Sequence, residues 1–266
     1  TKKEDYNVRQ SNLYIIGFSA VLTLLLGGLL SFAAIGLKPM QDIQVALDTQ
    51  KKILGAVMQL GPEDDVPSIY SSRIQAEVVN IKGEVVDQVD GEPVIAEKIS
   101  IASQFDKAPE DRIYPVYKFM SKSNPDQVEA YILPIYGVGL WDDIWGYLAL
   151  ENDLATIKGA VFDHAGETPG LGARITSVEV QERFRGKKIY DDLGKLVAVR
   201  MVKGETGEPS VYGDNEVDGL SGATITAVGV NEMIYNYLTY YQAYLERVTE
   251  GEDLEKPDPE KQYTDV

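Results

Sequence analysis

From Leu13 to Leu37 the chain carries no charged residue, and no other stretch limits its fold more. As a helix rising about 1.5 Å per residue, this run reaches about 37 Å. That is enough to cross a bilayer core of about 30 Å with some tilt. A secretory signal peptide is the competing reading. Its apolar region spans about 7 to 15 residues and ends at a small-residue cleavage site. The run here is longer and reads as an uncleaved transmembrane anchor. Gly27-Gly28 and the Ser and Ala positions would let a second helix pack closely, or would equally face lipid. Charge does not orient the helix. Lys2, Lys3 and Arg9 precede it, but Lys38, Lys51 and Lys52 follow, so the positive-inside bias is weak.

Around the anchor the chain divides by pattern. Residues 1–12 are a short polar tail, 13–37 the transmembrane helix, and 38–65 a juxtamembrane amphipathic helix and loop. In the last of these, Ile43, Leu47, Leu54, Val57 and Met58 recur at helical spacing over Gln41–Leu60 before Gly61-Pro62 ends the helix. Glu63-Asp64-Asp65 reads as a solvated loop. Strand patterns begin near Ser71: Ile74, Ala76 and Val78 alternate, and Lys82-Gly83 turns the chain. Val94–Phe105 fits either helix or strand. Tyr114–Phe119 and Val128–Tyr136 flank the turn Asn124-Pro125-Asp126 as a hairpin. Strands follow through Trp145–Leu150, over Thr156–Phe162 and over Lys195–Val202, with a helix predicted at Ile175–Phe184. A long helix is predicted from Ala223 to about Val248, with Val228, Met233, Ile234 and Leu238 on its buried face. Tyr235, Tyr237, Tyr240, Tyr241 and Tyr244 crowd its second half and read as core and interface packing. Nothing interrupts 66–250, which reads as one α+β domain of antiparallel strands with packed helices. Residues 251–266 form a charged, Pro-containing tail that reads as mobile.

Composition removes several function classes. With no cysteine, the chain holds no disulfide, cysteine-ligated cluster or thiol nucleophile. A formal charge of −17 argues against nucleic acid and favours solubility. The one histidine, His164, has no carboxylate cluster at metal-site spacing and no Ser–His–Asp arrangement. There is no G-x-G-x-x-G after a strand and no Walker motif, so dinucleotide binding by this chain has no support.

The remaining chemistry gathers at Asp218-Gly-Leu-Ser221-Gly222-Ala223-Thr224-Ile-Thr226. Three hydroxyls fall within six residues, Gly219 and Gly222 permit tight turning, and the predicted helix begins there. Helix-start N–H groups lack internal partners and favour anions, so the stretch is a plausible phosphate seat. A Ser N-cap closing a loop explains the local residues equally well. Two further stretches carry the same ambiguity. Leu133-Pro134-Ile-Tyr136-Gly137-Val-Gly139-Leu140-Trp141 is either a Gly turn with core aromatics or an apolar wall for a planar ring. Glu167-Thr168-Pro169-Gly170-Leu171-Gly172 is either a capped rigid turn or a set of N–H groups and a Thr168 hydroxyl facing ring carbonyls. Lys203 is either a solvated lysine or a neighbour of a bound phosphate or ring.

All three stretches resemble the covalently flavinylated FMN-binding domain family, whose D-x-x-(S/T)-G-A-T signature is complete here. In that family a flavin transferase, with FAD as donor, joins the FMN phosphate to the Thr that ends S-G-A-T. The resemblance therefore implies Thr224 as the attachment point. Ser221 and Thr226 would orient the phosphate, and Asp218, Gly222, Ala223, Leu140, Trp141, Glu167, Thr168, Gly170, Leu171, Gly172 and Lys203 would surround the cofactor. It also implies that the soluble domain is periplasmic, on a bacterial inner-membrane anchor. A covalent link would keep FMN where no free pool exists to rebind. The implied activity is electron relay within a Na⁺-translocating NADH:quinone reductase complex. The partners would be its other membrane subunits, one with a second covalent FMN and others with an iron–sulfur centre, plus the flavin transferase and membrane lipid. NADH oxidation, quinone reduction and Na⁺ movement would belong to the whole complex. Two alternatives stay open: the generally shorter flavin subunit of an Rnf-type ferredoxin:NAD⁺ oxidoreductase, and a membrane-anchored binding or assembly module with no redox role.

Overall fold

A computed structural model describes residues 12–251. The tails, including Lys2, Lys3, Arg9 and the charged stretch 252–266, lie outside the described residues. The chain divides into two units, Thr1–Asp48 and Thr49–Val266. In the first, helix α1 (Asn12–Gly55) begins. Its large apolar side chains from Leu13 to Leu37 are exposed, and by length and composition it could cross a membrane. The sequence separates the apolar run from an amphipathic helix at Gln41, but α1 runs through both, with Pro39 inside it. Proline removes a single ladder bond, and the flanking turns carry the helix through.

The second unit is built on a five-stranded antiparallel sheet. Its strands are β1 (Ile74–Val79), β4 (Tyr114–Met120), β5 (Val128–Val138), β6 (Asp143–Glu151) and β7 (Ile157–His164), side by side in that order. A small hairpin, β2 (Gln88–Val89) with β3 (Glu92–Pro93), lies between β1 and β4 in the chain. Strand alternation gives the sheet two faces. Val116, Leu133, Ile135, Ile144, Leu148 and Phe162 form one core with the last helix, α5 (Thr224–Thr249), through its Val230, Met233, Ile234, Tyr237, Leu238, Tyr241 and Tyr244. Tyr241 is fully buried and donates its hydroxyl to the carbonyls of Pro115 (2.8 Å) and Pro134 (3.2 Å), which pins helix to sheet. Of the α5 residues expected inside, Val228 is exposed, and Ala227 and Val230 take its place. Tyr237, Tyr241 and Tyr244 are buried while Tyr235 faces out.

The other face receives the last turn of α1 and helix α2 (Val66–Arg73). Gly159 on β7 has no side chain, and a Cβ there would sit 2.4 Å from the Ala56 carbonyl. The chain leaving α1 can therefore lie directly on the strand, and the helix stops at Gly55 rather than near Leu60. Residues 63–65 form the expected exposed loop, and its last residue, Asp65, accepts from the Ser68 N–H at 3.3 Å and caps α2.

One open choice is settled towards helix and two further expectations are corrected. Residues 94–105 form a short 3-10 turn, Ala96–Lys98, and helix α3 (Ile101–Phe105). The predicted helix 175–184 is split at Ser177, whose hydroxyl caps α4 (Val178–Glu182) after the 3-10 turn Gly172–Thr176. Of the predicted strand 195–202, the two residues of β8 (Arg200–Met201) pair in parallel with β9 (Glu216–Val217), and Leu196 makes an isolated bridge to Tyr190.

Candidate functional site

The three glycine-containing stretches, distant in sequence, meet at one end of the sheet. The junction is the side chain of Glu167, which is 4% exposed. One carboxylate oxygen, Oε1, accepts the backbone N–H groups of Leu140 (2.7 Å) and Trp141 (3.0 Å). The other, Oε2, accepts the Thr226 hydroxyl at 2.6 Å. Close packing makes this possible. A Cβ on Gly172 would lie 2.1 Å from Oε2, and one on Gly139 would lie 2.3 Å from Oε1. Gly229 brings the start of α5 onto the end of β5, since a Cβ there would meet the Val138 carbonyl at 2.3 Å. Burial opposes the charge on Glu167, but the bonds from Thr226, Trp141 and Leu140, with His164 nearby, outweigh it and hold its pKa below the ordinary value.

Thr226 lies inside this junction. It is 1% exposed and its hydroxyl is committed to Glu167. Asp218 has a similar bracing position. It is buried and accepts the N–H groups of Thr206 (2.8 Å) and Gly207 (2.7 Å) and the Tyr212 hydroxyl. In the Glu167-to-Gly172 turn, the Thr168 carbonyl accepts the N–H groups of Leu171 (3.1 Å) and Ala173 (3.2 Å), so those two are spent within the turn. Thr168 and Gly170 are exposed.

Thr224 presents a different picture. It is the first residue of α5 and is exposed. Its hydroxyl makes no hydrogen bond among the described residues. The N-cap position is Ala223, with no side-chain cap, so Ser221 does not cap the helix. Among the described residues no side chain accepts the first-turn N–H groups. Gly222 (φ +76°) turns the chain tightly just before the helix, and a Cβ on it would lie 3.0 Å from Leu171. Leu140, Trp141, Leu171 and Ile225 are exposed, Trp141 by 69%. The exposed hydroxyl thus lies two residues after Gly222, which packs on Leu171, and two before Thr226, which Glu167 joins to the Leu140 and Trp141 amides.

A polar cluster that the sequence does not announce fixes the loop before Thr224. Arg183 donates to the carbonyls of Gly219 (2.7 Å) and Asp218 (3.3 Å) and to Glu205 (2.5 Å). Glu205 also takes both arms of Arg174 (2.7 and 2.9 Å) and the Ser221 N–H (3.1 Å). The bonds from Arg174, then those from Arg183 and Ser221, outweigh desolvation and bring the Glu205 carboxyl down to about 2. Lys203 belongs to the segment against this loop, where Gly219 N–H donates to the Gly204 carbonyl at 2.9 Å. Its own side chain is exposed. A cleft of about 360 Å³ lined by Tyr117, Tyr136, Trp145 and Tyr147 opens elsewhere, on the α2 side of the sheet. It shares no lining residue with the Thr224 region.

Residues 139–239 match the FMN-binding domain family, a span that begins at Gly139 and takes in all of the Glu167 junction. The chain is 34% identical over 238 residues to the NqrC component of the Na⁺-translocating NADH-quinone reductase of Pseudomonas aeruginosa, covering 83% of this chain and 89% of that protein. The crystal structure of the corresponding reductase component from Parabacteroides distasonis superposes with a TM-score of 0.66 at 34% identity, covering 79% of this chain and 96% of that one. Shewanella oneidensis NqrC superposes with the same TM-score at 26% identity, covering 78% and 99%.

Proposed function

The chain belongs to the NqrC family of the Na⁺-translocating NADH-quinone reductase, and from that premise we propose that it carries FMN as a phosphoester on Thr224. As a component of that bacterial membrane complex with an FMN-binding domain, it serves as a flavin electron carrier. The residues fit the group. A phosphate on Thr224 would supply the acceptor that the uncapped first turn of α5 lacks, and an anion is favoured at that end of a helix. Leu140, Trp141 and Leu171 would form the apolar side of the ring site. Ser221, Gly222 and Ala223 form the tight loop, with Thr168, Gly170 and Lys203 at its rim. Asp218, Glu167, Gly172 and Thr226 brace it from inside.

In the attachment reaction a flavin transferase would use FAD. The Thr224 Oγ forms a bond to the FMN phosphorus, the pyrophosphate P–O bond breaks, and AMP leaves with the bridging oxygen. The hydroxyl proton passes to a base on the transferase. Once bound, FMN supplies one-electron redox chemistry, and the protein supplies position and electrostatics. The carrier would relay electrons between redox centres held by the other components of the complex. In this reading residues 13–37 anchor the protein in the inner membrane with lipid around them, and residues 66–250 form the flavin domain on the periplasmic side.

The observation that carries the proposal is the exposed, unbonded hydroxyl of Thr224 at the uncapped start of α5. Peptide mass spectrometry of the chain co-expressed with its flavin transferase tests it. An FMN adduct mapped to Thr224 is expected. An adduct on Thr226 or Ser221, or none with an active transferase, would refute it.

A further inference from the structure

We propose that Glu167 is a positioning residue whose charge also holds down the midpoint potential of the bound flavin. The inference rests on the flavin reading above. Glu167 touches none of the exposed surface around Thr224 with its own carboxylate. It acts through the groups it holds: the Leu140 and Trp141 amides on one oxygen and Thr226, two residues beyond Thr224, on the other.

The hydrogen bonds do not themselves require a charge. An amide in the same place would accept both N–H groups on its carbonyl oxygen and donate its NH₂ to the Thr226 hydroxyl, which can accept. Burying a carboxylate adds a desolvation penalty of several kcal/mol that a neutral amide avoids. No ion pair among the described residues neutralises Glu167. His164 lies close enough to help lower the carboxyl pKa, but its Nδ1 takes the Glu167 backbone N–H at 3.3 Å and makes no hydrogen bond to the carboxylate among the described residues. So the site keeps a buried negative charge that its fold does not need. Beside a redox cofactor such a charge has a direct consequence. One-electron reduction adds a negative charge to FMN, and a fixed carboxylate in a poorly screened site makes that addition less favourable.

The test is a spectroelectrochemical titration of the flavinylated full-length chain in detergent, comparing wild type, Glu167→Gln and Thr226→Val. Glu167→Gln should retain covalent flavin, and its one-electron midpoint potential should rise by at least 59 mV, a tenfold change in the equilibrium constant. Thr226→Val keeps the charge and removes one bond that shields it, so its potential should fall. A flavinylated Glu167→Gln chain at the wild-type potential would overturn this inference alone. An unchanged or raised potential in Thr226→Val would also overturn it, because geometry and not charge would then set the potential. That second arm decides the matter by itself if Glu167→Gln does not fold. A wild-type chain without flavin would overturn the parent reading, and this one with it.

Discussion

Thr226 donates its hydroxyl to Glu167 at 2.6 Å, joining residues 59 positions apart, with both side chains buried. The bond closes the start of α5 against the turn that follows β7. Thr226→Val would leave a buried carboxylate oxygen without its donor, a loss of about 1–3 kcal/mol. Urea unfolding of the full chain in detergent should show that drop, with Ile225→Val, at an exposed position, as a near-neutral control.

Gly172→Ala should be worse tolerated than its size suggests. The added methyl would lie 2.1 Å from a Glu167 oxygen and 2.5 Å from the Thr226 oxygen, and neither partner can withdraw without breaking the junction. Overpacking of this kind costs about 1–3 kcal/mol. Gly170→Ala meets no atom but has φ +77°, so it tests backbone strain alone. Thermal melts should rank Gly172→Ala below Gly170→Ala.

The Glu205 cluster predicts an acid-sensitive loop. The folded pKa of Glu205 is about 2, below its ordinary value of 4.5. A depressed carboxylate pKa gives stability that is full above about pH 4.5 and is lost as pH falls through about 2. Glu205→Gln should therefore be less stable than wild type by a constant margin from neutral pH to about 4.5, and the margin should close towards pH 2. Denaturant melts across that range measure it. A margin that does not change with pH would mean the ion pairs with Arg174 and Arg183 contribute nothing.

Trp141 is mostly exposed, so Trp141→Ala should change stability by less than about 0.5 kcal/mol. If its ring walls the cofactor, its fluorescence will be quenched in the flavinylated chain and recover in the unflavinylated one. Trp145, on the other side of the sheet, will change little. Equal emission from both forms would remove Trp141 from the site.

Much of this arrangement is legible in the sequence because it depends on local chemistry. Thr224 begins a helix that its neighbours announce by glycine, hydroxyl and apolar spacing, and α5 ends within a residue of where periodicity puts it. Arg174, Arg183 and Glu205 are not legible. They lie in ordinary polar segments, and their partners are up to 36 residues away, a distance at which sequence spacing carries no signal. The bond from Thr226 to Glu167 is hidden for the same reason: the partner is 59 residues away, and only the fold turns the hydroxyl inward. Ser177 is the local cue that periodicity hides, since a serine inside a predicted helix caps the next one. The 195–202 strand shrinks to Arg200–Met201 because Ala198 takes φ +59°, which breaks the extended backbone, and composition does not signal that break.

Fluorescence of flavin on a denaturing gel, for wild type beside Thr224→Ala and co-expressed with an active flavin transferase, tests the central claim most directly. Fluorescence that survives denaturation in wild type and vanishes in Thr224→Ala is the predicted result. A dark wild-type band, or equal fluorescence in both lanes, would contradict the account.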